Sequence, residues 1–250
     1  MIKIKSSIEI EKMSKACRIV AETLILLKKH VQPGVTTIGL DKIAYDFIIE
    51  QGATPAFLGY SGYPATICAS VNECVVHGIP NDRKLKEGDI IGIDVGAKIQ
   101  GYFGDAAITV GVGRISREAK ELMDITERAL YEGIKKCFEG NHLSDVSHAI
   151  QTTAEKNGFS VVRRFVGHGI GTELHEDPQI LNYGPSNMGP VLKNGMVFAI
   201  EPMLNQGTHE VEILDDNWTV ITKDRKLSAH FENTVAITEN GPLILTQKEI

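Results

Sequence analysis

The sequence predicts an α+β fold of two similar halves facing each other across a cleft, and three observations carry that prediction. Helical and strand periodicities both occur, and a pair of helices followed by strands comes round twice. Glycines bound the second helix of each pair at matching positions. Carboxylates then stand at strand ends, where a sheet core calls for apolar side chains.

Ser6-Ser7-Ile8-Glu9 is a capping box and opens a helix to about His30. Ile10, Met13, Cys17, Val20, Ala21, Leu24 and Leu27 form its buried stripe, and Pro33-Gly34 ends it. A second helix runs from about Thr37 to Gln51, with Leu40, Ile43, Ala44, Phe47 and Ile48 on one face and Gly52 as its stop. From Gly52 to Asn72 the chain is uncharged for 21 residues, but Pro55, Gly59, Gly62 and Pro64 exclude a spanning helix. Its end, Thr66–Val71, reads as a strand. Ile90–Val95 is a clearer strand, too apolar to face solvent on both sides; Gly96–Gly101 turns the chain, and Tyr102–Val110 returns. Ser116 caps a helix to about Phe138, and Ser144 caps another to about Asn157. Strand patterns resume at Phe159–Val166, Met196–Met203, Val211–Leu214, Trp218–Thr222 and Thr234–Thr238. An offset of 106 places Gly34 on Gly140, Leu40 on Val146, Ala44 on Ile150, Phe47 on Thr153 and Gly52 on Gly158. No Pro- or Ser-rich linker divides the halves, so residues 1–250 are read as a single domain.

Composition narrows the class. Hydrophobic residues at 42% and charged residues at 23% are globular values, excluding disordered, collagen-like and coiled-coil chains. A net charge of −6 argues against nucleic-acid binding as the main activity. Cys17, Cys68, Cys74 and Cys137 form no C-x-x-C pair, so reduced thiols are expected. The N-terminus has no apolar signal core, and a cytoplasmic location is expected.

Two familiar motifs fail on inspection. Gly167-His168-Gly169-Ile170-Gly171 has its third glycine one place early for a dinucleotide turn, and the acidic Glu173, Glu176 and Asp177 follow. His175-Glu176-Asp177-Pro178-Gln179 lacks the second histidine of H-E-x-x-H. What remains is Asp94 inside an apolar strand, Asp105 on the returning one, Glu201 after five apolar residues, Glu232 before another strand, and His168 after Phe165-Val166. Any one of these would ordinarily cap a turn or pair with a lysine. Four buried carboxylates together must hold protons unless cations neutralise them, and two divalent ions match their charge. Hard oxygens with one imidazole suit Mn²⁺, Fe²⁺, Co²⁺ or Zn²⁺ with an open position. Such a pair makes hydroxide at neutral pH and polarises a carbonyl, which is hydrolytic chemistry. His77 and His175 alone read as loop or core histidines. The residues by themselves lead to a two-metal hydrolase and no further.

At these positions the sequence resembles the type I methionine aminopeptidases. The matching motifs are Leu58-Gly59-Tyr60-Ser61-Gly62-Tyr63-Pro64, His77-Gly78-Ile79-Pro80, Ile93-Asp94-Val95-Gly96, Gly104-Asp105-Ala106, Gly167-His168-Gly169-Ile170-Gly171, Glu201-Pro202-Met203 and Ser228-Ala229-His230-Phe231-Glu232. The resemblance implies the pita-bread fold, with two pseudo-symmetric halves around a dinuclear metal site. It makes Asp94, Asp105, His168, Glu201 and Glu232 the ligands of two divalent ions, with Asp105 and Glu232 bridging. His77 and His175 match histidines that line the substrate and stabilise the reacting amide, and Glu201 matches a glutamate assisting proton transfer. Tyr60, Tyr63, Cys68 and Trp218 match the pocket for a methionine side chain, whose soft thioether suits an apolar and aromatic lining. The implied activity is removal of N-terminal methionine from nascent chains when the second residue is small, by a cytoplasmic monomer that would favour docking at the ribosome exit. Ile2 then predicts that the protein keeps its own Met1, which intact mass would check.

Three departures stand out: Leu174 where an aromatic or methionine is common, His230 in place of glutamine, and Asn233 in place of histidine. They bear on the pocket rim, the outer shell and the choice of metal. Two alternatives share the fold. A proline-specific relative such as prolidase or aminopeptidase P keeps the ligand set but usually carries an extra N-terminal domain. A non-catalytic binding module would be expected to lose ligands, and all five positions are occupied here.

Overall fold

The computed structural model describes residues 1–247. α1 (Ser7–His30) begins on the expected capping box, with Ser6 Oγ accepting the Glu9 N–H and Glu9 accepting the Ser6 N–H. α2 (Thr37–Glu50) follows, capped by Thr36. The first half continues with β1 (Thr54–Pro55), β2 (Ile67–Val71), β3 (Cys74–Val76) and the long hairpin β4 (Ile90–Ile99) and β5 (Tyr102–Gly111). α3 (Arg117–Ile134) and α4 (Leu143–Lys156) open the second half. It runs through β6 (Ser160–Val161), β7 (Gly167–Gly169), β8 (Glu176–Ile180), β9 (Val197–Ile200), β10 (Met203–Asn205), β11 (Val211–Ile213), β12 (Val220–Thr222), β13 (Ser228–His230), β14 (Glu232–Thr238) and β15 (Gly241–Ile244).

The central sheet is ordered β1-β4-β5-β14-β9-β7-β8, with β2 also on β4 and β15 also on β14. Two three-stranded sheets, β13-β10-β6 and β11-β12-β3, stand beside it. In β4 the period of two is plain: Ile91, Ile93, Val95 and Ala97 join a core formed with Leu24 and Leu27 of α1 and Leu40, Ala44 and Ile48 of α2. Gly92, Asp94 and Gly96 take the other face. A second core packs α3 and α4 against Phe198, Ile200, Val235 and Ile237.

The internal repeat is present in the backbone. α2 and α4 both span 14 residues and differ in position by the expected 106, as do β1 and β6. The glycines before them, Gly34 and Gly140, have φ of 91° and 93°. Even the isolated bridges correspond, Thr36 with Lys84 and His142 with Val191.

Five local expectations are corrected. Gly96–Gly101 is not a turn: β4 and β5 stay paired to Ile99 and Tyr102, and only Gln100 and Gly101 reverse the chain. Gly96 lies within the strand, paired with Asp105, and is a glycine because a Cβ there would stand 2.6 Å from the Phe57 ring. α3 stops at Ile134, not Phe138, as the Lys136 and Cys137 N–H groups tighten onto Gly133 and Ile134 carbonyls. The N-cap of α4 is His142, whose N–H goes to Asp145, while Ser144 Oγ accepts from Met188. The strand expected over Met196–Met203 is broken at Glu201-Pro202, since proline donates nothing to a ladder. The one expected over Phe159–Val166 pairs only at Ser160–Val161, before the exposed Arg163-Arg164.

Candidate metal centre and substrate cleft

Strand register brings the five expected donors onto one face of the central sheet. Cys68 lies opposite Asp94, Asp94 opposite Ala107, and Ala107 opposite Glu232. One step beyond the paired Asn233 and Ile200 stand Glu232 and Glu201. A second row, two residues along, holds Gly96 opposite Asp105, and Ala199 opposite both Thr234 and His168. Thr234 joins the two parts of this second row: its hydroxyl accepts the Asp105 N–H at 3.2 Å and donates to the Asp105 carbonyl at 2.8 Å. Ala107 and Ala199 are small, which leaves the carboxylates the space between them.

Asp105, His168 and Glu232 are buried, and each offers a donor atom within 4.8 Å of the others. His168 Nε2 lies 3.9 Å from Asp105 Oδ2 and 3.7 Å from Glu201 Oε1, while its Nδ1 meets the Gly169 carbonyl at 2.9 Å. That second contact favours Nδ1–H and leaves Nε2 as a lone-pair donor. Burial pushes Asp94 up to about 7 and Glu201 up to about 8. Burial, reinforced by the neighbouring carboxylates, holds Asp105 and Glu232 well above the usual range. Burial also depresses His168 to about 3, so its imidazole is neutral.

The side chains fit divalent cations on their own chemistry. Asp94 Oδ1, Asp105 Oδ1 and Glu232 Oε1 are buried with no hydrogen-bond partner. Native interiors rarely leave such oxygens orphaned, and two of these residues, Asp105 and Glu232, offer donors within 4.8 Å of a neutral imidazole nitrogen. A cation is the partner that charge and geometry call for.

Beside the donors opens a cavity of about 130 Å³, lined by all of the expected site residues and by Phe57 and Leu174. Tyr63 is buried, its ring edge-on to Trp218 at 5.0 Å, and its hydroxyl lies 3.0 Å from the Ile67 carbonyl and 3.1 Å from that of Gly78. His77 stands between Phe165 and Trp218, with φ of 59°. The following Gly78 admits no side chain, since a Cβ would lie 2.5 Å from the Ala69 carbonyl. His175 crosses the mouth: its Nδ1 meets the Tyr60 hydroxyl at 2.7 Å and its ring lies 4.3 Å from that of His168. Burial lowers His77 to about 4 and lowers His175 as well.

Sequence reasoning missed Phe57, although the glycine at 96 was a signal that something bulky crosses there. It noted His230 without placing it. That imidazole is buried, and its unpartnered Nε2 lies 3.6 Å from Glu201 Oε2. Asn233, the third departure, accepts the Thr246 hydroxyl at 2.8 Å.

A pseudo-twofold α+β fold with a carboxylate and histidine cluster in its cleft defines a metal-dependent hydrolase class, and comparison with known proteins gives it a family. The model of metallopeptidase family M24 matches residues 11–239, and the chain belongs to that family. It is 57% identical to methionine aminopeptidase 1 of Bacillus subtilis (strain 168) over 247 residues, covering 99% of this chain and 100% of that protein. To the methionine aminopeptidase of Clostridium perfringens it is 55% identical over 246 residues, 98% and 99% of the two chains. The crystal structure of methionine aminopeptidase from Rickettsia prowazekii superposes with a TM-score of 0.98 at 44% identity, covering 99% of this chain and all of that one. Prolidase from Pyrococcus furiosus matches at a TM-score of 0.77 and 25% identity, with only 66% of its length covered. The fold is therefore the pita-bread fold of this family.

Proposed function

We propose that this protein is a methionyl aminopeptidase, a metal-dependent hydrolase that removes the N-terminal methionine from peptides and nascent chains whose second residue is small. The observation that carries the reading is the set of orphaned carboxylate oxygens that, with His168, line an aromatic cavity, in a chain matched end to end by methionine aminopeptidases. Residues 1–250 act as one catalytic domain. Asp94, Asp105, His168, Glu201 and Glu232 would hold two divalent ions, Co²⁺, Mn²⁺, Fe²⁺ or Zn²⁺, with Asp105 and Glu232 placed to serve both. Bound divalent ions supply a water deprotonated near neutral pH and a Lewis acid for the carbonyl.

The chain's own residues supply the rest. Phe57, Tyr60, Tyr63, Cys68, Leu174 and Trp218 enclose an unbranched apolar side chain and exclude water from it. His77 and His175, neutral at pH 7, offer N–H groups to the carbonyl oxygen as charge develops there. With its Nδ1 held by Tyr60, His175 leaves Nε2 for the substrate. Glu201 has a more accessible carboxylate than Asp105, 14% exposed against 5%, and would carry a proton to the departing amine. Nascent chains in the cytoplasm, met by a monomer near the ribosome exit, are the setting this reading implies.

The test is release of free amino acid from Met-Ala-Ser, Met-Leu-Ser, Leu-Ala-Ser and Ala-Pro-Ala by metal-stripped protein, before and after adding Mn²⁺ or Co²⁺. Metal-dependent cleavage of Met-Ala-Ser alone is expected. Cleavage of Ala-Pro-Ala instead would transfer the chain to the proline-specific branch, and silence with every metal would leave a binding module.

A further inference from the structure

The loop carrying His175 is held in place by a part of the chain that takes no part in the chemistry described above. Lys5 is buried, only 6% exposed, which is rare for a lysine and demands a partner. Its Nζ donates to Glu176 Oε2 at 2.8 Å, and the side chain of Glu176 is 2% exposed. The other oxygen of Glu176 closes the turn before His175. Oε1 accepts the Thr172 N–H at 3.0 Å, the Thr172 hydroxyl at 3.2 Å and the Glu173 N–H at 3.3 Å. Lys3 adds a further contact to the same oxygen at 3.1 Å, and the Met1 ammonium reaches Asp177 at 2.6 Å. The strap is docked through its backbone as well, with the Lys5 N–H on the Gly195 carbonyl at 2.7 Å. Gly171 has no room for a side chain, since a Cβ there would stand 2.7 Å from Lys5 Cε.

We propose that Lys5 and Glu176 are positioning residues for His175: the ion pair locks the Thr172–Glu176 turn against the N-terminal strap and so fixes the imidazole over the cleft. The inference rests on the methionyl aminopeptidase reading, because His175 matters only if it touches the substrate. The alternative is that the pair serves folding alone. Burial works against the Glu176 charge, but the hydrogen bond and charge of Lys5, with Lys3 and the turn N–H groups, outweigh it and hold the carboxyl at about 2, so Glu176 is ionised throughout the working range. Tyr60 steadies the imidazole from the opposite side at Nδ1. Without the strap that contact would be the ring's one remaining hydrogen-bonded support among the described residues, on a loop whose His175 is exposed.

The experiment is a double-mutant cycle on Mn²⁺-loaded full-length protein with Met-Ala-Ser, using parent, Lys5→Met, His175→Ala and the combined variant. Misplacing a group by about 1 Å can cost roughly 100-fold in rate, and a loosened turn should cost Lys5→Met roughly 10-fold or more in kcat with KM little changed. In the His175→Ala background the same substitution should cost nothing further. An equal loss in both backgrounds, or no loss in either, would overturn the proposal. An inactive parent would instead count against the function itself. Imidazole ¹⁵N signals of His175, assigned by their absence from His175→Ala, read the position without turnover: they should move in Lys5→Met while those of His77 stay, and unmoved His175 signals refute the claim. If Lys5→Met leaves Glu176 uncompensated and fails to fold, Lys5→Met with Glu176→Gln removes both charges and keeps an oxygen for the Thr172 and Glu173 N–H groups. It should give the same pattern.

Discussion

Replacing Glu232 by glutamine separates a metal-holding carboxylate from an ordinary buried polar residue, because the two roles give opposite signs in the stripped protein. Glu232 is 4% exposed, its Oε1 has no hydrogen-bond partner, and its carboxyl is held far above the usual range by burial and then by Asp105. In the metal-free protein it either stays ionised against its neighbours or binds a proton at a cost in free energy. An amide of the same shape removes both problems. Losing a satisfied buried hydrogen bond would typically cost about 1–3 kcal/mol. Since the Oε1 oxygen is unsatisfied, stripped Glu232→Gln should melt within about 2 °C of the stripped parent, or above it. Adding Mn²⁺ reverses the order. At free metal 100-fold above Kd, binding to the folded state is worth about 2.7 kcal/mol, and at about 2–4 °C per kcal/mol the parent Tm should rise roughly 5–10 °C. If losing the carboxylate weakens binding about 100-fold, the same metal concentration leaves about 0.4 kcal/mol, a rise of only 1–2 °C. Differential scanning calorimetry of both proteins, stripped and loaded, measures all four values. A stripped variant melting more than about 5 °C below the parent, with the full Mn²⁺ rise intact, would refute the assignment of Glu232 to the metal.

Two further outcomes follow from packing and charge. Gly96→Ala would drive a methyl into the Phe57 ring, 2.6 Å from its Cε1, and so push Phe57 toward the cavity it lines. The expected result is a loss of about 1–3 kcal/mol in urea unfolding and a higher KM for Met-Ala-Ser. An unchanged KM would remove Phe57 from the pocket. Glu176→Gln tests the buried ion pair through acid stability. The folded carboxyl sits at about 2 against an ordinary 4.5, so its contribution is fully present above 4.5 and is lost as pH falls through about 2. With Lys3 about half exposed and screening the site with solvent, that contribution is about 1–3 kcal/mol. The Tm gap between parent and Glu176→Gln should therefore be full from about pH 5 upward and close toward pH 2, and a pH-independent gap would contradict it.

Much of this fold could be read from the sequence because the repeat left its mark where the backbone is least tolerant. Side-chain identity between the halves is low, yet Gly34 and Gly140 share a left-handed φ and bound helices of equal length at the offset of 106. Such a φ selects glycine whatever packs nearby, so glycine pairs kept the register that core residues had lost. The same rule misled at Gly96, where glycine answers to the close approach of Phe57 and not to a turn. Short strands such as β8 and β13 were invisible because three to five residues carry too little periodicity to stand out from a loop.

The candidate site was legible for a different reason: its cost. Carboxylates set in apolar strands conflict with burial, and a charge partner resolves the conflict, so the candidate donors stood out residue by residue. The pseudo-symmetry deepens that argument. β4 and β9 are related by an offset of 107, which takes Asp94 to Glu201 at the matching strand position. Each half thus delivers one carboxylate from the same place in its sheet, and the two meet on the shared face beside Glu232. The first half adds Asp105 from β5, and the second adds His168 from β7 and Glu232 from β14, so the candidate donor set spans the join. The residues around these donors carry no comparable cost. Phe57, Leu174 and His230 are compatible with an ordinary core, and only their position around the cavity or beside Glu201 singles them out.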